Sequence, residues 1–501
     1  MLNSIKKELN KKLTNNGASA YSSTLNKVLD LFAFGAAYRN RSDEDMIALF
    51  ECALDENKEL AMKCLFWIRD VRGGGAGERH FFRICMKWLA ETYPDWAREV
   101  MIHIPDFGRF DDLYCFVDTP LQQEALNLIG KQLNTDVDAT FPSLCAKWAK
   151  SCNASSEETR RLGRLTANTM NLTYHEYQKM LAKIRNRLNV IERLMSDGRW
   201  DEIEFEKVPS NAGLRYFHCF STREELKERY AEFITDNKTK VNSAVLYPYD
   251  CAVKAFNVGY MPYSSTEREA VNKYWENLPD YIGDNDASNF MCVCDTSGSM
   301  TWGNSNPKPI DVATSLAMYF AERAKGPFHN YYISFASRPQ LIEIVGRDFV
   351  EKINRIRKTN LCDNTNLEAV FNLLLSVAKR GIPAEDFVKK LFIISDMEID
   401  QATNEISYCG SFYDRGPESY NSFKSLMERI RDNWELQTDI PFPQLYYWNV
   451  NARNNTVLSL GPDVSYISGA SPAILKQVLS GKTGWELCLE TLLSDRYKVI
   501  K

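Results

Sequence analysis

The sequence predicts a multidomain chain of two unlike parts, an all-α helical-repeat domain over 1–285 and an α/β doubly wound domain over 286–501. Two periodicities and one boundary predict it. Up to about residue 285 apolar residues recur at spacings of three and four. Beyond it, short apolar runs alternate with amphipathic helices. Between them the segment YIGDNDAS (281–288) reads as a turn-forming boundary. A length of 501 residues also exceeds what one hydrophobic core ordinarily serves.

In the first part, the stretch from Lys58 to Asp70 places Ala61, Cys64, Leu65 and Ile68 on one helical face. A glycine-rich stretch, Gly73 to Gly77, follows. It ends in Gly-Glu-Arg rather than Gly-Lys-Ser/Thr and follows a helix, so it predicts a tight turn and not a nucleotide loop. The next helix turns Phe82, Cys85, Met86 and Leu89 inward and ends before Pro94. Tyr174 to Met195 reads as one long helix with Leu181, Ile184, Leu188, Ile191 and Met195 in its core. Such helices joined by short turns suggest a stack of degenerate repeats, since no strict period is present. Residues 201–285 are less regular, with Pro209, Pro248, Pro262 and Pro279 interrupting them.

In the second part, strands at Phe290–Cys294, Tyr331–Phe335, Leu391–Ser395, Leu445–Val450 and Val464–Ile467 alternate with helices at Ile310–Ala324, Phe349–Lys358 and Leu367–Lys379. Pro472–Leu479 reads as a closing helix. In a sheet of this kind ligands bind at the carboxyl ends of the strands.

Composition narrows the function class. The net charge is −5, so a nucleic-acid surface must be local rather than global. Thirteen Cys include no Cys-x-x-Cys pair, which points to reduced, buried thiols and a cytoplasmic compartment. The polar, basic N-terminal stretch has no apolar core of a signal peptide, and no apolar run approaches the roughly 18 residues of a membrane span. The five His are far apart and show no zinc spacing, and no nucleophile-base constellation can be assembled, so no catalysis is expected.

The sequence MCVCDTSGSM sets Asp295, Ser297 and Ser299 directly after an apolar strand. Thr365 stands about 70 residues on, before a helix, and Asp396 ends the apolar run LFIISD about 30 residues later. All three segments would meet at one edge of the sheet. Three hydroxyls and two carboxylates form an all-oxygen set of the kind a hard cation takes, so Mg2+ or Mn2+ is expected there. With few charged ligands the ion would stay electrophilic and could accept a carboxylate from an acidic-residue-bearing protein partner. The competing reading is that these Asp and Ser residues only cap loops and helix starts. The joint pattern resembles the metal-ion-dependent adhesion site of von Willebrand factor A domains, and the resemblance implies that fold for 286–501. Asn364, before Thr365, departs from the small residue often found there.

Five phrases of the first part carry a second resemblance: FWIRDVRGGGAGERHFFR (66–83), IPDFGRFDDL (104–113), LCAKWAKS (144–151), YHEYQKMLAKIRNRLNVIERLMS (174–196) and KVPSNAG (207–213). Together they resemble a family known only as a domain of unknown function, DUF2828, itself similar to the TROVE-domain (Ro-like) proteins. That resemblance implies a HEAT-like helical array that binds RNA, as a ribonucleoprotein component. A local basic stretch is compatible with it: Lys147, Lys150, Arg160, Arg161, Arg164, Lys179, Lys183 and Arg187 are the candidate RNA contacts. An ordinary solvated face is the competing reading of the same charges. The leading expectation is an RNA-binding protein, and its rival is a metal-dependent protein-interaction scaffold.

Overall fold

The computed structural model describes residues 2–14, 18–188, 190–260, 264–282, 289–301, 307–359, 365–399, 425–461, 463–478 and 482–501. The chain forms two compact units that interleave along the sequence. One unit contains 1–41, 247–263 and 280–491, and the other contains 42–246, 264–279 and 492–501. A single cut at 285/286 therefore does not describe the packing. Residues 283–288 of the expected boundary lie outside the described residues.

The helix-rich unit is built from short helices with explicit start signals. Ser42 caps Asp43–Glu56, Asn57 caps Lys58–Arg69 and Ser156 caps Glu157–Thr169, each accepting a backbone N–H three residues on. Thr173 with Glu176, and Ser264 with Glu267, form reciprocal capping boxes. Between Lys58–Arg69 and His80–Thr92 the glycine stretch forms the expected turn: Gly74 has φ 89°, and a Cβ on Gly75 would sit 2.3 Å from the Trp67 carbonyl oxygen. Phe66 meets Phe82 and Phe107 edge-on, with ring centroids 5.4 and 5.2 Å apart. The last ten residues join this unit through Asp70, which is fully buried. Its carboxylate accepts from Arg496 at 2.9 and 3.0 Å and from the Tyr497 hydroxyl at 3.1 Å.

Two sequence readings are corrected in this unit. The expected helix from Tyr174 to Met195 is two, Tyr174–Arg187 and Ile191–Ser196, because the backbone is extended at Val190. Tyr177 and Leu194 are buried there, whereas Leu188 and Met195 are half-buried. The irregular stretch from 201 contains helices at Ser210–Thr222, Lys227–Thr235 and Ser265–Glu276 in this unit, and Pro248–Tyr260 in the other. Pro209 and Pro248 begin helices rather than interrupt them, since a helix start has no use for the missing N–H.

In the other unit, β1 (Lys11–Leu13) and β2 (Ser19–Tyr21) form an antiparallel hairpin. The main sheet comprises β3 (Phe290–Asp295), β4 (Tyr331–Phe335), β5 (Leu341–Glu343), β6 (Lys390–Ser395), β7 (Gln444–Asn449) and β8 (Val464–Ser468). Their order is β5-β4-β3-β6-β7-β8, with all neighbours parallel except β5 against β4. β3 and β8 are buried at every position, and β3 accordingly reads as an unbroken apolar run up to Asp295. The short antiparallel edge β5, the helix Leu426–Gln437 and a helix at Gly484–Leu492 beyond the expected closing segment were not legible. Pro248–Tyr260 belongs to this unit because Asn354 donates to the Ala255 carbonyl at 3.0 Å and Arg357 lies 4.1 Å over the Phe256 ring.

The chain leaves β3 toward β4 and β5, then returns to the other side of β3 as β6. The switch point therefore lies between β3 and β6. A crevice outside the strand ends is expected there, where successive connections diverge.

Candidate metal centre and basic surface

The register Cys294↔Ile394 sets the end of β3 beside the end of β6, so Asp295 and Ser395 are neighbours and Asp396 follows at once. Asp295 and Asp396 are both fully buried. Asp295 accepts from the Ser297 backbone N–H at 2.9 Å and from the Ser395 hydroxyl. The hydroxyls of Ser297 and Ser299 are 3.0 Å apart. Thr365, 1% exposed, donates to the Glu398 carbonyl at 3.0 Å. Asp295, Ser297, Ser299 and Asp396 thus stand on the two segments that follow β3 and β6, while Thr365 reaches this corner through the Glu398 carbonyl; Asn364 lies outside the described residues.

The electrostatics of this corner are unbalanced. Burial, then the charge of Asp396, pushes the Asp295 carboxyl up to about 7. Burial likewise raises Asp396, against hydrogen bonds from Ser299 and the Glu398 backbone. Asp396 Oδ2 is buried and has no hydrogen-bond partner among the described residues. A buried, unpartnered carboxylate oxygen beside a second buried carboxylate fits a ligand position for a hard cation.

Sequence reasoning missed three neighbours. Ser395 was read only as the end of a strand. Glu398 is 3% exposed and accepts from Asn454 Nδ2 at 3.0 Å. Met397 between them takes a left-handed φ of 65°, which turns the chain sharply after β6. A charged residue two places beyond a strand-ending Asp was the available signal. Among the described residues no three His, Cys, Asp or Glu side chains are grouped so that they could hold a metal ion.

Most of the eight candidate RNA contacts have partners within the chain. Arg161 is held by Glu158 at 2.8 Å and Asp118 at 3.0 Å. Arg160 donates to the carbonyls of Ala154 and Ser155. Arg164 lies over Tyr174, Lys147 faces Glu192 at 3.6 Å and Lys150 faces Asp111 at 3.9 Å. Arg187 donates to the carbonyls of Asp136, Val137 and Ala139, closing the end of the helix Gln122–Asp136. Arg187 is therefore a structural anchor rather than a free surface charge. Lys179 is exposed without an ion pair among the described residues, and Lys183 makes only an exposed pair with Asp138.

The loop after Gln122–Asp136 carries a feature the sequence did not disclose. Phe141 is 92% exposed and Leu144 is 44% exposed. Asp138 and Ala139, just before Phe141, are the residues that Lys183 and Arg187 engage.

Two family models match the chain. Residues 14–99 and 123–285 match a domain of unknown function, DUF2828, and residues 289–491 match another, DUF7788. An uncharacterised protein of Acanthamoeba polyphaga mimivirus is 27% identical over 524 aligned residues, which cover 94% of this chain and 85% of that protein. The crystal structure of the Ro (RSR) protein of Deinococcus radiodurans is similar with a TM-score of 0.49 at 14% identity, over 92% of this chain and 100% of that one. No helix among the described residues is long and apolar enough to cross a membrane.

Proposed function

We propose, for a chain of the DUF2828 family in its helix-rich part, an RNA-binding protein whose sheet unit holds a divalent cation in the manner of von Willebrand A domains. The metal reading is carried by Asp396 Oδ2, an unpartnered carboxylate oxygen buried beside a second buried carboxylate. Asp295 and Asp396 would supply negative charge, and Ser297, Ser299 and Thr365 neutral oxygens. That donor set suits Mg2+ or Mn2+. When bound, the ion would offer an electrophilic position to an incoming oxygen ligand. The chain's own part is to exclude water from the carboxylates and to fix them through Ser395 and the Ser297 backbone.

The RNA reading is carried by Phe141, an aromatic ring in solvent on a loop fastened to the basic helix Tyr174–Arg187. Exposed aromatic rings beside cations suit unpaired bases, because stacking contributes about 1–3 kcal/mol per base and needs no particular sequence. The match of the helix-rich part to DUF2828, a family similar to the TROVE-domain proteins, supports it. Fluorescence anisotropy with labelled single-stranded RNA tests it. Affinity should fall with salt, with a slope of roughly −2 to −3 for three or four phosphate contacts. Phe141→Ala should weaken binding by about tenfold while leaving that slope unchanged. Absence of RNA affinity at low salt would remove this reading.

The half-exposed Ser299 beside buried Asp295 and Asp396 favours a second reading, in which a partner protein reaches the metal through a carboxylate. Partner capture abolished by chelator and restored by Mg2+, with no RNA affinity, would establish it.

A further inference from the structure

Three of the sequence phrases that resemble DUF2828 meet in one place within the helix-rich unit. The stretch 66–83 supplies Arg69, Arg79 and Arg83, the stretch 104–113 supplies Arg109, Asp111 and Asp112, and the stretch 144–151 supplies Trp148 and Lys150. The floor is Asp112, fully buried, which takes Arg69 at 2.7 Å on one oxygen and Arg83 at 2.7 Å on the other. Above it Asp111, 5% exposed, is shared by Arg83 at 3.0 Å, Arg109 at 3.0 Å and Lys150 at 3.9 Å. Arg79 is exposed and makes no ion pair among the described residues.

Four cations thus converge on two carboxylates, and Arg79 lies within electrostatic reach of Arg83, Arg109, Asp111 and Asp112. Although the Arg79 side chain as a whole is exposed, partial desolvation of its guanidinium, then the charges of Arg83 and Arg109, lowers its pKa against the pull of Asp111 and Asp112. Burial also lowers that of Lys150, helped by the charges of Arg83, Arg109 and Arg79 and opposed by Asp111. The Arg109 guanidinium lies 3.9 Å from the Trp148 ring centre, so its plane is held before any ligand arrives. Planar guanidinium forks match the oxygens of phosphate better than ammonium groups do.

We propose that this crevice binds a backbone phosphate of RNA, with Arg79 and Arg109 as the contacting forks and Arg69, Arg83, Asp111 and Asp112 as the frame that aims them. The choice of RNA over a small phosphate rests on the RNA-binding reading above. The phosphate site itself rests on the surplus of fixed cations.

The test uses the full chain and labelled single-stranded RNA, titrated by anisotropy at several salt concentrations. Arg79→Ala removes an exposed side chain without an ion pair, so the thermal transition should not move. Affinity should fall by about tenfold. The slope of log K against log salt should flatten by about 0.7, the loss of one phosphate contact on a single strand. Arg109→Lys keeps the charge but loses the stacked fork, so affinity should fall with the slope unchanged. Inorganic phosphate, added as competitor, should displace RNA only weakly; full displacement at low millimolar concentration would make this a small-phosphate site and overturn the RNA assignment. Wild-type and Arg79→Ala proteins binding RNA equally would overturn the crevice and leave RNA binding standing. No RNA binding by the wild type would overturn both.

Discussion

Asp396→Asn should make the metal-free protein more stable at about pH 8 and remove its thermal response to Mg2+. In the wild type the Asp295 carboxyl is raised to about 7 by burial and by the charge of Asp396. A carboxyl whose folded pKa is raised contributes stability that is fully present below its unfolded value near 4, and that contribution is lost as pH rises through about 7. The metal-free wild type should therefore lose stability between about pH 4 and pH 7, and Mg2+ should restore it above pH 7 by binding the folded state. Asparagine keeps an oxygen for the Glu398 N–H, which Asp396 Oδ1 now accepts at 3.3 Å, and deletes the like charge. Thermal unfolding in chelator and in Mg2+, at about pH 5 and about pH 8, separates these effects. Equal Mg2+ shifts in both proteins, or a variant that is less stable to the same degree at both pH values, would contradict it.

Asp112→Ala should be the most destabilising single change in the helix-rich unit. Arg69 has a side chain 3% exposed and pairs with a carboxylate at 0%. Asp112 also accepts the Arg109 backbone N–H at 2.9 Å, which fixes the start of the 3-10 turn Phe110–Phe116. Removing one partner of a buried pair leaves the other charge uncompensated and costs about 3–5 kcal/mol. Urea unfolding should show that loss, and a change below about 1 kcal/mol would contradict the role given to the Arg69–Asp112 pair.

What the sequence made legible was local. Asp295 and Asp396 could be placed because each follows an apolar run that had to be a central strand, and parallel central strands bring their ends together. The helix starts at Ser42, Asn57 and Thr173 are written in residues three or four apart. What escaped depended on contacts far along the chain. Tyr21 exchanges backbone hydrogen bonds with Val457, and Asp70 pairs with Arg496, and no pattern in either neighbourhood announces its partner. These contacts are why the units interleave rather than divide at 285. Arg187 shows the same limit on a smaller scale. Periodicity assigns it to the polar face of its helix, but only the fold reveals that carbonyls of another helix end occupy that face. The cationic crevice escaped because its charges come from three phrases, none of which is basic enough alone.

The central claim, a divalent cation at the switch point between β3 and β6, is tested most directly by electron spin resonance of Mn2+ titrated into the full chain. The account predicts that the wild type removes one Mn2+ per chain from the free signal, that Mg2+ releases it, that binding tightens as pH rises through about 7, and that Asp396→Asn binds at least about tenfold more weakly. An undiminished free Mn2+ signal with the wild type, or equal binding by Asp396→Asn, would contradict it.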